Sequence, residues 1–138
     1  MTAYIDTSAL LRLVLREPGA LDELRSFESL VSSELIAVES RRAIDRLRLQ
    51  GTLTTEEAVQ RAAIVAEWLE AIDLVLLRPP VLSRAGDPLP TPLGTLDAIH
   101  LATALIWRER MSSVNRLATH DSALALAARA FGFEVLGV

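Results

Sequence analysis

Four carboxylates stand at positions where a carboxylate is costly: Asp6, Glu39, Asp97 and Asp121. Asp6 and Asp121 each follow a short apolar run, whereas Glu39 and Asp97 interrupt helical stretches that otherwise read as buried core. Two carboxylates ~5 Å apart repel by about 3 kcal/mol at an effective dielectric of about 20. Four in one cleft would therefore be protonated or would hold a cation. Carboxylate ligands suit Mg²⁺ or Mn²⁺, and such a site is typical of phosphate chemistry.

Each of these acids also has an ordinary structural interpretation. Asp6 and Asp121 precede helical stretches, so either can simply cap a helix by accepting backbone N–H groups. Glu39 continues an apolar helix face, where it must lie at the edge, pair with Arg42 or bind a cation. Asp97 opens a stretch that is apolar almost all round, and the helix dipole contributes roughly 0.3–1 kcal/mol there. That does not offset the burial of an unpaired carboxylate, so Asp97 favours a functional interpretation by itself.

Three polar neighbours accompany the acids. Ser8, two residues after Asp6, can orient a water or a phosphate oxygen, or can be a plain first-turn helical residue. Thr119 can support Asp121 from the preceding strand. His100 lies three residues after Asp97 on the same helix, and we expect an uncharged, hydrogen-bonded core histidine there, not a metal ligand.

The composition excludes several classes of protein. The 138 residues contain no cysteine, and all 14 basic residues are arginine. Disulfides, thiolate metal sites, P-loop lysines and Schiff bases are therefore excluded, and zinc would want more nitrogen or sulfur ligands than the chain offers. The absence of lysine also argues against a phosphatase or a phospho-accepting receiver domain. No segment approaches the ~20 apolar residues of a membrane span, the N-terminus lacks signal-peptide features, and we expect a cytoplasmic protein.

The apolar fraction and the arginines bear on partners. A hydrophobic content of 51% and a mean hydropathy of +0.32 are high for a chain of this size, and favour a wide oligomer or partner interface. The net charge of −4 argues against a protein that simply coats nucleic acid. Arginines nevertheless cluster on one predicted helix, at Arg41, Arg42, Arg46 and Arg48. They form either a solvated helix face or a local phosphate-binding site.

Strand-like and helix-like segments alternate along the chain. Strands are predicted at residues 2–6, 30–31, 72–77, 114–118 and 133–136, and the run at 72–77 is typical of a buried strand. Helical segments lie between them: Ser32 or Ser33 can cap the helix that runs to about Gln50, and residues 54–57 resemble a capping box for the next helix. The loop at 78–94 holds five prolines and is expected to contain a short helix. This pattern predicts one α/β domain over residues 1–138, with a parallel sheet of four to five short strands flanked by about seven helices. Ligands of such sheets bind beyond the carboxyl ends of the strands, where Asp6 and Asp121 would lie.

Four segments in order resemble the PIN-domain family, and within it the VapC-type toxins of bacterial and archaeal toxin–antitoxin pairs. They are residues 4–10, 32–39, 96–104 and 118–132, and the resemblance extends over essentially all 138 residues. The third segment is the most specific. The match assigns one acid to each segment, and in the second segment it selects Glu39 over the neighbouring Glu34.

The resemblance implies an Mg²⁺-dependent endoribonuclease with Mn²⁺ as a possible substitute, a cognate antitoxin, and a homodimer built on apolar helices. It implies that Asp6, Glu39, Asp97 and Asp121 are the catalytic, metal-holding residues, acting by in-line hydrolysis of an RNA phosphodiester. The chain departs from many such nucleases in having arginines but no lysines near the site. A PIN nuclease of RNA processing, a DNA-directed nuclease and a non-catalytic RNA-binding module remain as alternatives.

Overall fold

A computed structural model of the chain describes residues 1–112 and 114–138. Five strands form a single sheet in the order β3-β2-β1-β4-β5, and every neighbouring pair is parallel. The strands are β1 (Thr2–Ile5), β2 (Ser29–Ser33), β3 (Ile72–Val75), β4 (Val114–Ala118) and β5 (Glu134–Leu136). The predicted parallel α/β architecture is confirmed.

The described residues form six α-helices and one 3-10 helix, against the prediction of about seven helices. They are α1 (Thr7–Val14), a 3-10 helix (Asp22–Ser26), α2 (Leu35–Leu49), α3 (Thr55–Ala71), α4 (Pro79–Ala85), α5 (Thr95–Met111) and α6 (Ser122–Ala130). Across these residues, no helix is both long enough and apolar enough to cross a bilayer.

The strand order reverses beside β1. The chain first builds outward from β1 to β2 and β3, and then returns to the other side of β1 to add β4 and β5. Open α/β sheets bind ligands at such a reversal, in the crevice outside the carboxyl ends of the two strands. Asp6 directly follows β1 and Asp121 lies three residues beyond β4, so the topology brings both acids to this crevice.

Alternate side chains of β1 enter two different apolar layers. Ala3 and Ile5 pack with α1, α2 and α3 on one face of the sheet, whereas Tyr4 packs with α5 and α6 on the other. This is the two-residue period of a strand that is buried on both faces. The three residues that directly precede Asp6 are therefore fully enclosed, and the carboxylate follows a rigid segment of the sheet.

Two local predictions differ from the structure. Residues 72–77 were expected to form a buried strand, but β3 ends at Val75 and lies at the edge of the sheet, where Leu74 is 37% exposed. Ser32 or Ser33 was expected to cap α2, but both belong to β2 and the capping position is Glu34. Ser33 Oγ still accepts the backbone N–H of Leu35 at 3.1 Å, so part of the capping function is preserved one residue earlier.

Gly137 closes the end of β5 against the end of β4. Its φ is +105°, in the region that favours glycine, and a Cβ at this position would collide with the carbonyl oxygen of Thr119 and lie 3.2 Å from His120 Cε1. The Thr119 N–H donates to the Leu136 carbonyl at 2.9 Å, so the two strand ends are held together at this point. The close approach requires that residue 137 have no side chain.

We therefore expect Gly137→Ala to lower the free energy of unfolding by about 2–4 kcal/mol, because backbone strain and a backbone collision act together. Gly51→Ala is the matched control, since Gly51 also has a positive φ of +78° but nothing lies within 4 Å of the added Cβ. That control should cost only about 1 kcal/mol. Urea denaturation of both variants measures the difference, and equal losses would contradict the proposed close approach.

Candidate active site

All four predicted acids line one cavity of about 520 Å³, at the crevice where the strand order reverses. Its walls are the start of α1, one face of α2, the first turn of α5 and the segment before α6. Another cavity of about 520 Å³ beside α4 has Asp87 as the one charged residue in its lining. Charge, and not size, therefore distinguishes the acidic cleft.

Asp6 is the most enclosed of the four acids, with 3% of its surface exposed. Its Oδ1 accepts the N–H of Ala9 at 2.9 Å and the Ser8 hydroxyl at 2.7 Å, and its Oδ2 accepts the Thr119 hydroxyl at 2.6 Å. Burial raises the pKa of Asp6, although these three donors act in the opposite direction. Asp6 is thus both the N-cap of α1 and a wall of the cleft.

Asp121 has the same double position. Its Oδ1 accepts the N–H of Leu124 at 2.9 Å and so caps α6, while the residue also lines the cleft. The helix-cap interpretation of Asp6 and Asp121 is therefore correct for both residues, and it does not remove either of them from the cavity.

Ser8 and Thr119 both give their hydroxyl protons to Asp6. Ser8 Oγ accepts the backbone N–H of His120 at 2.9 Å, and Thr119 Oγ1 accepts that of Asp121 at 3.0 Å. Thr119 was predicted to support Asp121; its oxygen contacts the Asp121 backbone, and its proton goes to Asp6. Ser8 lines the cavity, yet its single proton is committed to the carboxylate and not free for a phosphate oxygen. The two hydroxyls tie α1 to the end of β4.

Glu39 is held at one oxygen. Its Oε1 accepts hydrogen bonds from Thr7 Oγ1 at 2.8 Å and from His100 Nε2 at 2.7 Å. Burial would raise the pKa of Glu39, but the hydrogen bonds from His100 and Thr7 outweigh burial and lower it. The alternative ion pair with Arg42 is not formed, because Arg42 contacts Asp45 instead.

A buried chain of hydrogen bonds reaches Glu39 from the sheet. The Tyr4 hydroxyl accepts the N–H of Ser33 at 3.0 Å and lies 2.6 Å from His100 Nδ1. The arrangement that satisfies every group has Tyr4 donating to Nδ1 and the Nε2 proton pointing to Glu39. His100 is 1% exposed and hydrogen-bonded at both ring nitrogens, as expected for a core histidine.

Asp97 is the acid with the least local support. It is half-buried in the first turn of α5. Burial, followed by the negative charges of Asp121 and Asp6, raises the pKa of Asp97. The cleft therefore disfavours the ionised form of this carboxylate as long as no positive charge enters.

The donor set fits a hard divalent cation, because every acid presents carboxylate oxygen and nitrogen comes from His100 alone, whose Nε2 is occupied by Glu39. Within residues 1–112 and 114–138, no three His, Asp or Glu side chains are spaced as a ready-made metal cluster. An ion that keeps several of its waters, as Mg²⁺ does, can be held across a wider set of acids.

A scan against models of known families matches residues 3–131 to the PIN domain. The chain belongs to the PIN-domain family. Two Mycobacterium tuberculosis relatives place it with the VapC-type members. Ribonuclease VapC46 is 37% identical over 138 aligned positions, covering 96% of this chain and 95% of that protein. Ribonuclease VapC47 is 32% identical and covers 94% of this chain and 92% of that protein.

The fold of this PIN domain is also found in a solved structure. The crystal structure of FitAcB from Neisseria gonorrhoeae superposes with a TM-score of 0.68, covering 97% of this chain and 96% of that chain. The sequence identity is 18%, so this likeness supports the fold alone.

Sequence reasoning missed three features that act on the acids of this PIN domain: Tyr4, Thr7 and the Glu39-facing side of His100. The signals were present but weak. Tyr4 lies two residues before Asp6 and so on the same side of β1, and His100 lies one helical turn after Asp97. Neither spacing reveals that Tyr4 contacts His100 and that His100 in turn contacts Glu39.

We expect Asp97→Asn to stabilise the metal-free protein at neutral pH by ~0.5–1.5 kcal/mol, because it removes a charge that its neighbours repel. An acid with a raised pKa keeps its proton in the folded state after the unfolded chain has lost it. The folded state is therefore stabilised less and less by this group as the pH rises from the ordinary pKa of 3.8 through the raised pKa of Asp97. Thermal unfolding in a chelating buffer should show a flatter pH profile for the Asn variant.

Asp6→Asn is the contrasting variant. Asp6 accepts three hydrogen bonds and caps α1, so the amide would lose acceptors and should lower stability by about 1–2 kcal/mol. A lower melting temperature for Asp97→Asn than for the wild-type protein at pH 7 would contradict the repulsion argument.

Proposed function

We propose that this PIN domain is an endoribonuclease that hydrolyses RNA phosphodiester bonds and acts as the toxin of a toxin–antitoxin pair. The observation that carries the proposal is the set of four carboxylates around one cavity at the strand-order reversal. The names of the two M. tuberculosis relatives, both called ribonuclease, support the reaction and the substrate class. The absence of lysine argues against enzymes that need an ammonium beside the phosphate.

We propose Mg²⁺ as the cofactor, with Mn²⁺ as a substitute. Asp6, Glu39, Asp97 and Asp121 would hold the ion directly or through water. Such an ion lowers the pKa of an attacking water and offsets charge on the scissile phosphate. Burial raises the pKa of Asp97, and repulsion by Asp121 and Asp6 raises it further; the positive charge of the ion would offset that repulsion.

The chain's own contribution is to fix the acids before the substrate arrives. Thr7 and His100 occupy Glu39 Oε1 and leave Oε2 for the cleft, while Ala9, Ser8 and Thr119 fix Asp6. Groups that are already oriented need little reorganisation as charge develops on the phosphate. In the hydrolysis, the water oxygen forms a bond to phosphorus as the opposite phosphorus–oxygen bond to the neighbouring ribose breaks.

The proposed partners follow from the VapC-type relatives and from the surface. A cognate antitoxin would inhibit the enzyme by covering the cleft. A homodimer built on apolar helices remains a prediction, and side chains such as Val59 on α3, 65% exposed, and Leu126 on α6, 55% exposed, are available for it. A cytoplasmic location also remains a prediction.

The direct test is cleavage of a labelled RNA in the presence of Mg²⁺. We expect Asp97→Asn and Glu39→Gln to lower kcat/KM by at least about a hundredfold, because each removes charge that the reaction requires. A chelator should abolish wild-type cleavage, and Mg²⁺ or Mn²⁺ should restore it.

Glu34→Gln is the matched control for Glu39→Gln. Glu34 lies five residues earlier, but its Oε1 accepts the N–H of Leu77 at 3.0 Å and it does not line the acidic cleft. The glutamine keeps an acceptor oxygen there, so cleavage should stay near the wild-type rate. Wild-type rates in folded Asp97→Asn or Glu39→Gln protein would refute the assignment, and RNA binding without cleavage by the wild type would favour the non-catalytic alternative.

A further inference from the structure

Two of the four arginines of α2 line the same cavity as the acids. Arg42 and Arg46 contribute to its wall, whereas Arg41 and Arg48 do not. At 3.6 residues per turn, Arg46 lies only about 20° around the helix from Glu39 and Arg42 about 60°. Arg41 and Arg48 lie about 160° and 180° away. The helix therefore carries one acid and two arginines along one face.

These two arginines are not used to neutralise the acids of the cleft. Asp45 binds Arg48 at 2.9 Å and Arg42 at 3.2 Å, and the Arg42 side chain is still 63% exposed. In the described part of the chain, Arg46 forms no ion pair. Arg46 is exposed at the cavity wall, so its guanidinium is available to a ligand that enters the cavity.

The spacing of these arginines suits a ligand with repeated negative charges. With a rise of 1.5 Å per residue, Arg42 and Arg46 lie about 4.5 Å and about 10 Å along the helix from Glu39. Both guanidinium groups can therefore reach phosphates that flank one held at the acids. Arginine also binds phosphate through two parallel N–H groups.

Electrostatics favours such a contact for an RNA substrate. The chain has a net charge of −4 and offers no long-range attraction to a polyanion. The four acids of the cleft also repel RNA wherever they are not offset by cations. Local arginines beside the acids are the groups that can hold the flanking phosphates against this repulsion.

We propose that Arg42 and Arg46 form a phosphate-binding wall for the nucleotides that flank the cleaved bond. This inference rests on the proposed ribonuclease function and names the residues that hold its substrate. Arg46 contributes the larger share, because Arg42 has to exchange its interaction with Asp45 for the phosphate.

The experiment measures binding separately from cleavage. Asp97→Asn protein in a chelating buffer is titrated into a fluorescently labelled single-stranded RNA, and the anisotropy is followed between about 50 and 200 mM salt. On this background, Arg46→Gln should raise Kd by about three- to tenfold, and Arg42→Gln by less. The slope of log Kd against log salt should fall by about 0.7 for each phosphate that the variant no longer binds.

Arg41→Gln is the matched control, since it removes the same charge from the opposite face of the same helix. A change in net charge alone would affect Arg41→Gln and Arg46→Gln equally. Equal Kd values and equal salt slopes for these two variants would overturn the proposal. Arg46 would then be better explained as part of a surface that binds a protein. Wild-type cleavage is assayed in parallel, and its absence would count against the ribonuclease function, not against the wall.

Discussion

The mutual repulsion of four carboxylates is the constraint on which the rest of this site depends. The fold brings them together where β1 and β4 meet, and each would be costly there without compensation. Three of the four receive hydrogen bonds from nearby backbone or side-chain groups, and Asp97 does not share in that support. Burial and the charges of Asp121 and Asp6 raise the pKa of Asp97, and a cation in the cleft would offset those charges.

Local structure and chemistry share the same atoms in this cleft. Asp6 and Asp121 each use Oδ1 to cap a helix, and Oδ2 of Asp6 also accepts the Thr119 hydroxyl. A helix that begins directly after a strand needs a cap, and a crevice beyond the strand ends is where ligands bind. The helix cap and the ligand-binding crevice lie at the same point of the chain, so one aspartate can serve both. Under the proposed function, a change at Asp6 would therefore affect stability and activity together, whereas a change at Asp97 would affect them separately.

Much of the fold could be predicted from local patterns in the sequence. The alternation of strands and helices, the proline-rich segment with its short helix and the capping box of α3 all depend on neighbouring residues, and the structure has each of them. The position of β3 at the edge could not be predicted, because a short apolar run looks the same at the edge and the centre of a sheet. The hydrogen-bond partners of Glu39 could not be predicted from the sequence either. The hydrogen bond with His100 spans 61 residues, and that between His100 and Tyr4 spans 96. No local spacing encodes such pairings.

The buried chain from Tyr4 through His100 also explains why residue 39 is a glutamate when the other three acids are aspartates. The imidazole is fixed by Tyr4 from inside the core, so its outer nitrogen has one position in the cleft. An aspartate, one methylene shorter, would draw its carboxylate back by about 1.5 Å and leave that nitrogen without a partner. The buried Tyr4 in the central strand therefore determines, through His100, how long the side chain at position 39 must be.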